Sequence, residues 1–161
     1  MKSGFVSLIG RPNVGKSTLL NCLVNAHVAI TSNKPQTTRN IIQGVYNEKD
    51  LQIVFVDTPG IHKPIHKLGK TLNKQAISLS KDVDVILFLA DASEYLGNGD
   101  KYVMNMLKST DIPVILVLNK IDKLANEQIL LKIKEYKDEY PFAEIVPVSA
   151  LKNDNTNRLL E

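Results

Sequence analysis

Residues 10–18 read Gly10-Arg11-Pro12-Asn13-Val14-Gly15-Lys16-Ser17-Thr18, which satisfies Gly-x4-Gly-Lys-Ser/Thr, the pattern of a phosphate-cradling loop between a strand and a helix. Both flanks supply the expected elements. Phe5, Val6, Leu8 and Ile9 form an apolar run suited to a buried strand, and Leu19, Leu20, Leu23 and Val24 recur at helical spacing. A loop in that position turns several backbone N–H groups and the positive end of the helix dipole toward one point. Gly10 and Gly15 permit backbone angles and a close approach that a side chain would obstruct. In this reading Val14, Gly15, Lys16, Ser17 and Thr18 surround a polyphosphate. Lys16 sets its ammonium against the outer phosphates, and the Ser17 hydroxyl ligates magnesium.

The 161 residues suit one domain with a substantial core. A composition of 43% hydrophobic and 23% charged residues is that of an ordinary globular protein, and a net charge of +3 is too small to argue for a nucleic-acid partner. Cys22 is the sole cysteine, which excludes an internal disulfide and places the protein in a reducing cytoplasm. Its position in the apolar helix assigns it to packing. No apolar stretch has the length of a membrane span, and residues 1–15 lack the pattern of a signal peptide.

Along the chain, a polar stretch from Ala26 to Asn40 is too long for a simple turn. Ile41 to Tyr46 and Leu51 to Val56 read as strands joined by the turn Asn47-Glu48-Lys49-Asp50, an antiparallel hairpin. A helix is expected near Lys67 to Ser80. Val83 to Ala90 and Ile112 to Leu118 are near-continuous apolar runs, as in strands of a parallel sheet covered on both faces. Tyr102, Val103, Met106 and Leu107 mark a helix between them. Ile129, Ile133 and Tyr136 mark another, Glu144 to Val148 a short strand, and a last helix begins near Asn155. The alternation predicts an α/β fold: a six-stranded, mostly parallel sheet with one antiparallel strand, and five helices on both faces. That last helix, cut short at Glu161, suggests that the natural protein continues.

Two further segments fall at the carboxyl ends of predicted strands, where ligands gather in open α/β sheets. Asp57-Thr58-Pro59-Gly60 stands beside the phosphate loop, so Asp57 can hold magnesium and the Gly60 N–H can meet a third phosphate. Asn119-Lys120-Ile121-Asp122 follows a later strand. Guanine presents a ring N–H and an exocyclic NH₂ side by side, and one carboxylate, that of Asp122, can accept from both. Adenine lacks that paired donor edge, which argues against an ATP-using enzyme. Asn119 would tie the base loop to the phosphate loop, and the Lys120 stem would lie along the base. Ser149-Ala150-Leu151 would offer backbone N–H groups to the guanine oxygen.

These segments, in this order, are similar to those of the translation-factor-related GTPases, and they cover essentially the whole chain. Lys34-Pro35-Gln36-Thr37-Thr38-Arg39, Asp57-Thr58-Pro59-Gly60-Ile61-His62-Lys63-Pro64 and His66-Lys67-Leu68-Gly69 resemble the Era family of bacterial GTPases. The Gly-Arg-Pro-Asn-Val-Gly-Lys-Ser string is shared with ribosome-assembly and tRNA-modification relatives, which stand as the alternatives. The resemblance implies a P-loop GTPase domain over residues 1–161 that binds GTP or GDP with magnesium. It also implies a monomer with a role in maturing the small ribosomal subunit, and an rRNA-binding KH module lying outside these residues. Peripheral membrane association of the longer protein is implied by the family alone. Thr37 or Thr38, by position Thr38, would contact magnesium and the third phosphate, with two switch loops ordered by that phosphate.

Ile61 stands where the small signalling GTPases carry a water-orienting glutamine. Intrinsic hydrolysis should therefore be slow. Asn13 matches the asparagine with which some relatives bind a potassium ion instead; without such help the domain would be a nucleotide-gated binding switch. Lys16, Thr38 and Gly60 are the residues expected to act on the reaction. His62, His66, Lys63, Lys67, Lys70 and Lys74 read as a solvated basic face.

Overall fold

The computed structural model describes residues 2–11, 14–24, 41–57, 83–108 and 110–161. Strand β1 (Lys2–Gly10) enters the phosphate-loop motif and helix α1 (Lys16–Val24) leaves it. There follow β2 (Ile41–Glu48), β3 (Leu51–Asp57), β4 (Val85–Asp91), α2 (Asn98–Leu107) and β5 (Val114–Asn119). A single 3-10 turn (Ile121–Lys123), α3 (Asn126–Glu139), β6 (Glu144–Pro147) and a short α4 (Asn157–Leu160) complete the order. The helix expected near residues 67–80 lies outside the described residues.

The strands form one sheet in the order β2-β3-β1-β4-β5-β6. Among the described strands the β2–β3 pair alone is antiparallel; β1 with β3 and β4, β4 with β5, and β5 with β6 are parallel. This is the α/β sheet the alternation predicts. Strands β4 and β5 are buried along almost their whole length, because helices cover both faces. On one face Ile9, Phe88, Leu116 and Leu118 pack with Val103, Met104 and Leu107 of α2 and Tyr136 of α3. On the other, Leu8, Leu87, Leu89 and Val117 pack with Leu19, Leu20 and Leu23 of α1. Each such side chain contributes roughly 1.5–3 kcal/mol on full burial. Two clusters of this size account for why the sheet is straddled rather than left open.

Two details depart from the linear reading. Phe5 is 42% exposed, because the clusters cover β1 only from Ser7 onward. The buried face of α2 is Asp100, Val103, Met104 and Leu107, whereas Tyr102 and Met106 are half-buried. That stripe has helical spacing but begins on a carboxylate, so an apolar pattern does not reveal it.

The sheet order reverses direction at β1, with β3 on one side and β4 and β5 on the other. Gly10 pairs with Leu89, Leu8 with Asp57, and Asp91 with Asn119. The carboxyl ends of four parallel strands therefore finish at one edge. Among the described residues, no helix is long and apolar enough to cross a membrane.

Candidate functional site

At that edge Gly15 has φ of 97°, a left-handed conformation that glycine adopts without penalty. A Cβ built there would collide with the Asn119 side-chain nitrogen. Gly10 is confined as well: a Cβ would lie 3.0 Å from both the Leu89 carbonyl oxygen and Val14 Cγ2. Each glycine of the motif therefore has a steric reason to be glycine. Lys16, Ser17 and Thr18 form the first turn of α1, with Ser17 and Thr18 exposed and Lys16 half-buried. The helix axis thus directs the N–H groups of its first turn and its positive dipole to the loop.

Asn119 is 2% exposed and joins three segments. Its Nδ2 donates to the Val14 carbonyl at 2.9 Å, and its Oδ1 accepts from the Ala150 N–H at 3.0 Å. The Ala150 carbonyl accepts in turn from the Cys22 thiol at 2.9 Å, so this residue is pinned from α1 and from β5. Cys22, read as a packing residue, also makes this polar contact. The Ser149 hydroxyl donates to Asp122 Oδ1 at 2.7 Å and accepts from the Lys152 N–H at 3.2 Å. Gly15, Thr18, Asn119, Lys120, Asp122, Lys123 and Leu151 line a cleft of about 180 Å³. Asp122 stands exposed on its rim.

Lys120 occupies the left-handed region, with φ of 69°, and its ammonium lies 3.0 Å from Asp91 Oδ2. Asp91, at the end of β4, also accepts from the Ser93 N–H at 2.9 Å and the Ser93 hydroxyl at 2.5 Å. Burial pushes its carboxyl pKa up, but the Ser93 and Lys120 donors outweigh burial and hold it below the ordinary value. An aspartate with a depressed folded pKa stabilises the fold above its unfolded pKa of about 3.9, and that contribution is lost as pH falls through the folded value. Asp91→Asn should therefore flatten the acid limb of the stability curve. Urea midpoints measured from pH 6 down to pH 3 would show wild type losing stability more steeply than the variant. Parallel curves would count against this account.

Asp57 closes β3 in register with Leu8, which brings it to the same edge as the phosphate loop. Asn13, Thr37, Thr38, Gly60, Ile61 and the basic cluster from His62 to Lys74 lie outside the described residues. Asp91, Ser93, Arg11 and Asp100 are the site-edge residues that the motif reading passed over. For Asp91 a signal existed, since a carboxylate ending an apolar strand run at the ligand edge has a reason to be there.

A phosphate loop after the first strand, stitched through a buried asparagine to an Asn-Lys-x-Asp segment after the fifth, defines a P-loop nucleotide-binding domain of GTPase fold. The family model described as 50S ribosome-binding GTPase matches residues 5–120, and the chain belongs to that family. It is 53% identical to GTPase Era of Clostridium kluyveri over 161 residues, all of this chain and 55% of that protein. It is also similar, with a TM-score of 0.81 and 44% identity, to the crystal structure of Era in complex with MgGDPNP and nucleotides 1506-1542 of 16S ribosomal RNA. That match covers 99% of this chain and 55% of the other. A crystal structure of a substituted Aquifex aeolicus Era bound to GDP and AlF4− gives a TM-score of 0.80 at 44% identity, again over 99% and 55%. The chain thus spans about half the length of the curated relatives it matches.

Proposed function

We propose that these residues bind GTP with magnesium and hydrolyse it to GDP as a switch. We assign the whole protein to small ribosomal subunit assembly in the cytoplasm, with residues 1–161 as its monomeric GTP-binding domain and rRNA contacted chiefly by a KH module outside them. The observation that carries the reading is the double hydrogen bond of Asn119 to Val14 and Ala150, which makes the phosphate loop and the base cleft one unit. The Era relatives crystallised with MgGDPNP and 16S rRNA and with GDP·AlF4− support it.

In this reading Asp122 accepts the guanine ring N–H and exocyclic NH₂ while Lys120 and Leu151 border the base. Of the Ser149-Ala150-Leu151 N–H groups expected to serve the guanine oxygen, that of Ser149 donates to the Asp154 carbonyl at 3.0 Å and that of Ala150 to Asn119 Oδ1 at 3.0 Å, so the Leu151 N–H is assigned to the guanine oxygen. Backbone N–H groups of residues 13–18 and the Lys16 ammonium hold the phosphates and stabilise charge that builds as water attacks the third phosphate in line. Ser17 is exposed at the head of α1 and Asp57 ends the neighbouring strand, a hydroxyl and a carboxylate that suit an oxygen-seeking cation. With Thr38 they would hold magnesium, whose charge offsets that of the outer phosphates. Gly60 would sense the third phosphate through its N–H.

Ile61 cannot orient the nucleophile, and Asn13 is assigned to a potassium ion that replaces this function. Hydrolysis measured with magnesium in potassium and in sodium at equal ionic strength tests both points. Faster turnover in potassium, on the order of tenfold, is the expected result. Equal slow rates would remove the potassium assignment, and failure to bind guanine nucleotide at all would remove the function.

A further inference from the structure

Asp100 carries a charge into the core. It is 4% exposed in the buried stripe of α2, where an unpaired carboxylate is costly. Its partner comes from 89 residues away: Arg11 Nη1 lies 3.3 Å from Asp100 Oδ2. The Gly97 N–H also points to that oxygen, at 3.4 Å. Arg11 lies over the turn that opens α2, and the bare α-carbon of Gly99 makes room for it. A Cβ on Gly99 would stand 3.1 Å from Arg11 Nε and 3.2 Å from Cδ. Arg11 is also the first residue beyond Gly10, which is itself confined against Leu89 and Val14. The direction in which the phosphate loop leaves β1 is therefore set from both sides, by the sheet at Gly10 and by α2 at Arg11.

We propose that Arg11 is a positioning residue of the nucleotide site: with Asp100 and the Gly97–Gly99 turn it latches the start of the phosphate loop to α2. This inference rests on the nucleotide-binding reading given above. The latch touches no reacting atom. It raises the fraction of molecules whose loop is already shaped for phosphates, and apparent affinity scales with that fraction. Guanidinium suits the task better than ammonium, because a flat fork can lie across a glycine turn while donating sideways to a carboxylate.

The test measures binding of GTP and GDP, together with steady-state hydrolysis, for Arg11→Ala, Arg11→Lys, Asp100→Asn, Gly99→Ala and the Arg11→Ala/Asp100→Asn pair. Arg11→Ala and Asp100→Asn should each raise Kd for both nucleotides, and KM for GTP, about tenfold, with kcat within about twofold of wild type. The pair should be no worse than either single change. Arg11→Lys should recover part of the loss, and Gly99→Ala, which keeps both charges, should weaken binding about threefold. Thermal melting identifies the folded variants; if Arg11→Ala does not fold, the near-isosteric Asp100→Asn and Gly99→Ala carry the comparison. Unchanged affinity in the folded variants, or losses that add in the pair, would overturn the latch. Wild-type protein that binds no guanine nucleotide would overturn the reading on which it rests, an outcome seen before any variant is made.

Discussion

Asp122→Asn should lose GTP affinity by about 10²–10³-fold and gain affinity for xanthosine triphosphate. In the proposed reading the carboxylate accepts two adjacent N–H donors of guanine, and hydrogen bonds to a charged group contribute roughly 1.5–3 kcal/mol each. An amide can accept only one of them and turns its own NH₂ toward the exocyclic amine, donor against donor. Xanthine carries a carbonyl where guanine carries that amine, so the same amide matches it, donating to the carbonyl while accepting the ring N–H. Asp122 is exposed and its recorded partner is the Ser149 hydroxyl at 2.7 Å; an amide oxygen can still accept that bond, so the fold should persist. Nucleotide competition with a fluorescent GDP analogue gives the answer directly. GTP that still outcompetes xanthosine triphosphate in the variant would end the base-recognition assignment.

Asn119→Ala is the second large effect, and it is expected in stability and binding together. The amide is 2% exposed and serves two buried backbone groups, the Val14 carbonyl and the Ala150 N–H. Leaving a buried polar group without a partner costs about 1–3 kcal/mol, so truncation should destabilise the domain by roughly 2–6 kcal/mol. That is a large part of the 5–15 kcal/mol typical of a domain. It also uncouples the phosphate loop from the base cleft, so nucleotide affinity should fall by at least about 10²-fold in whatever remains folded. Asn119→Asp separates the two bonds: its carboxylate can accept from Ala150 but faces the Val14 carbonyl oxygen, so it should not rescue. Urea denaturation with and without GDP reads both quantities. A loss under about 1 kcal/mol with unaltered GDP binding would show that the two bonds are not what holds the site together.

Much of this was legible without coordinates, for a physical reason. Strands and helices leave local, periodic marks: Val-Ile-Leu-Phe-Leu-Ala over residues 85–90 can only be a strand covered on both sides or a buried helix, and the alternation of elements selects the former. The phosphate loop is legible because its function is carried by consecutive residues, where glycine spacing, lysine and hydroxyl are all local. The same holds for Asn119 to Asp122. Phe5 shows the limit of composition, since an apolar residue says nothing about how far along a strand its covering helices extend.

What the linear chain determined is the set of parts: which segments are strands, which loop has the phosphate-loop pattern, and which carboxylate follows the fifth strand in an Asn-Lys-x-Asp segment. Only the tertiary structure decided how those parts are held. The strand order β2-β3-β1-β4-β5-β6 brings Gly10, Asp91 and Asn119 to one edge. It thereby pairs Asn119 with Val14 across 105 residues, Lys120 with Asp91, and Arg11 with Asp100. The tie from Asn119 to the phosphate loop is expected from the Asn-Lys-x-Asp segment, though its Val14 partner atom is not; the other two pairs have no sequence signature, because neither partner's neighbours record the other. A buried charge at the head of the core stripe of α2 looks like a polar surface position until the arginine that neutralises it is placed beside it.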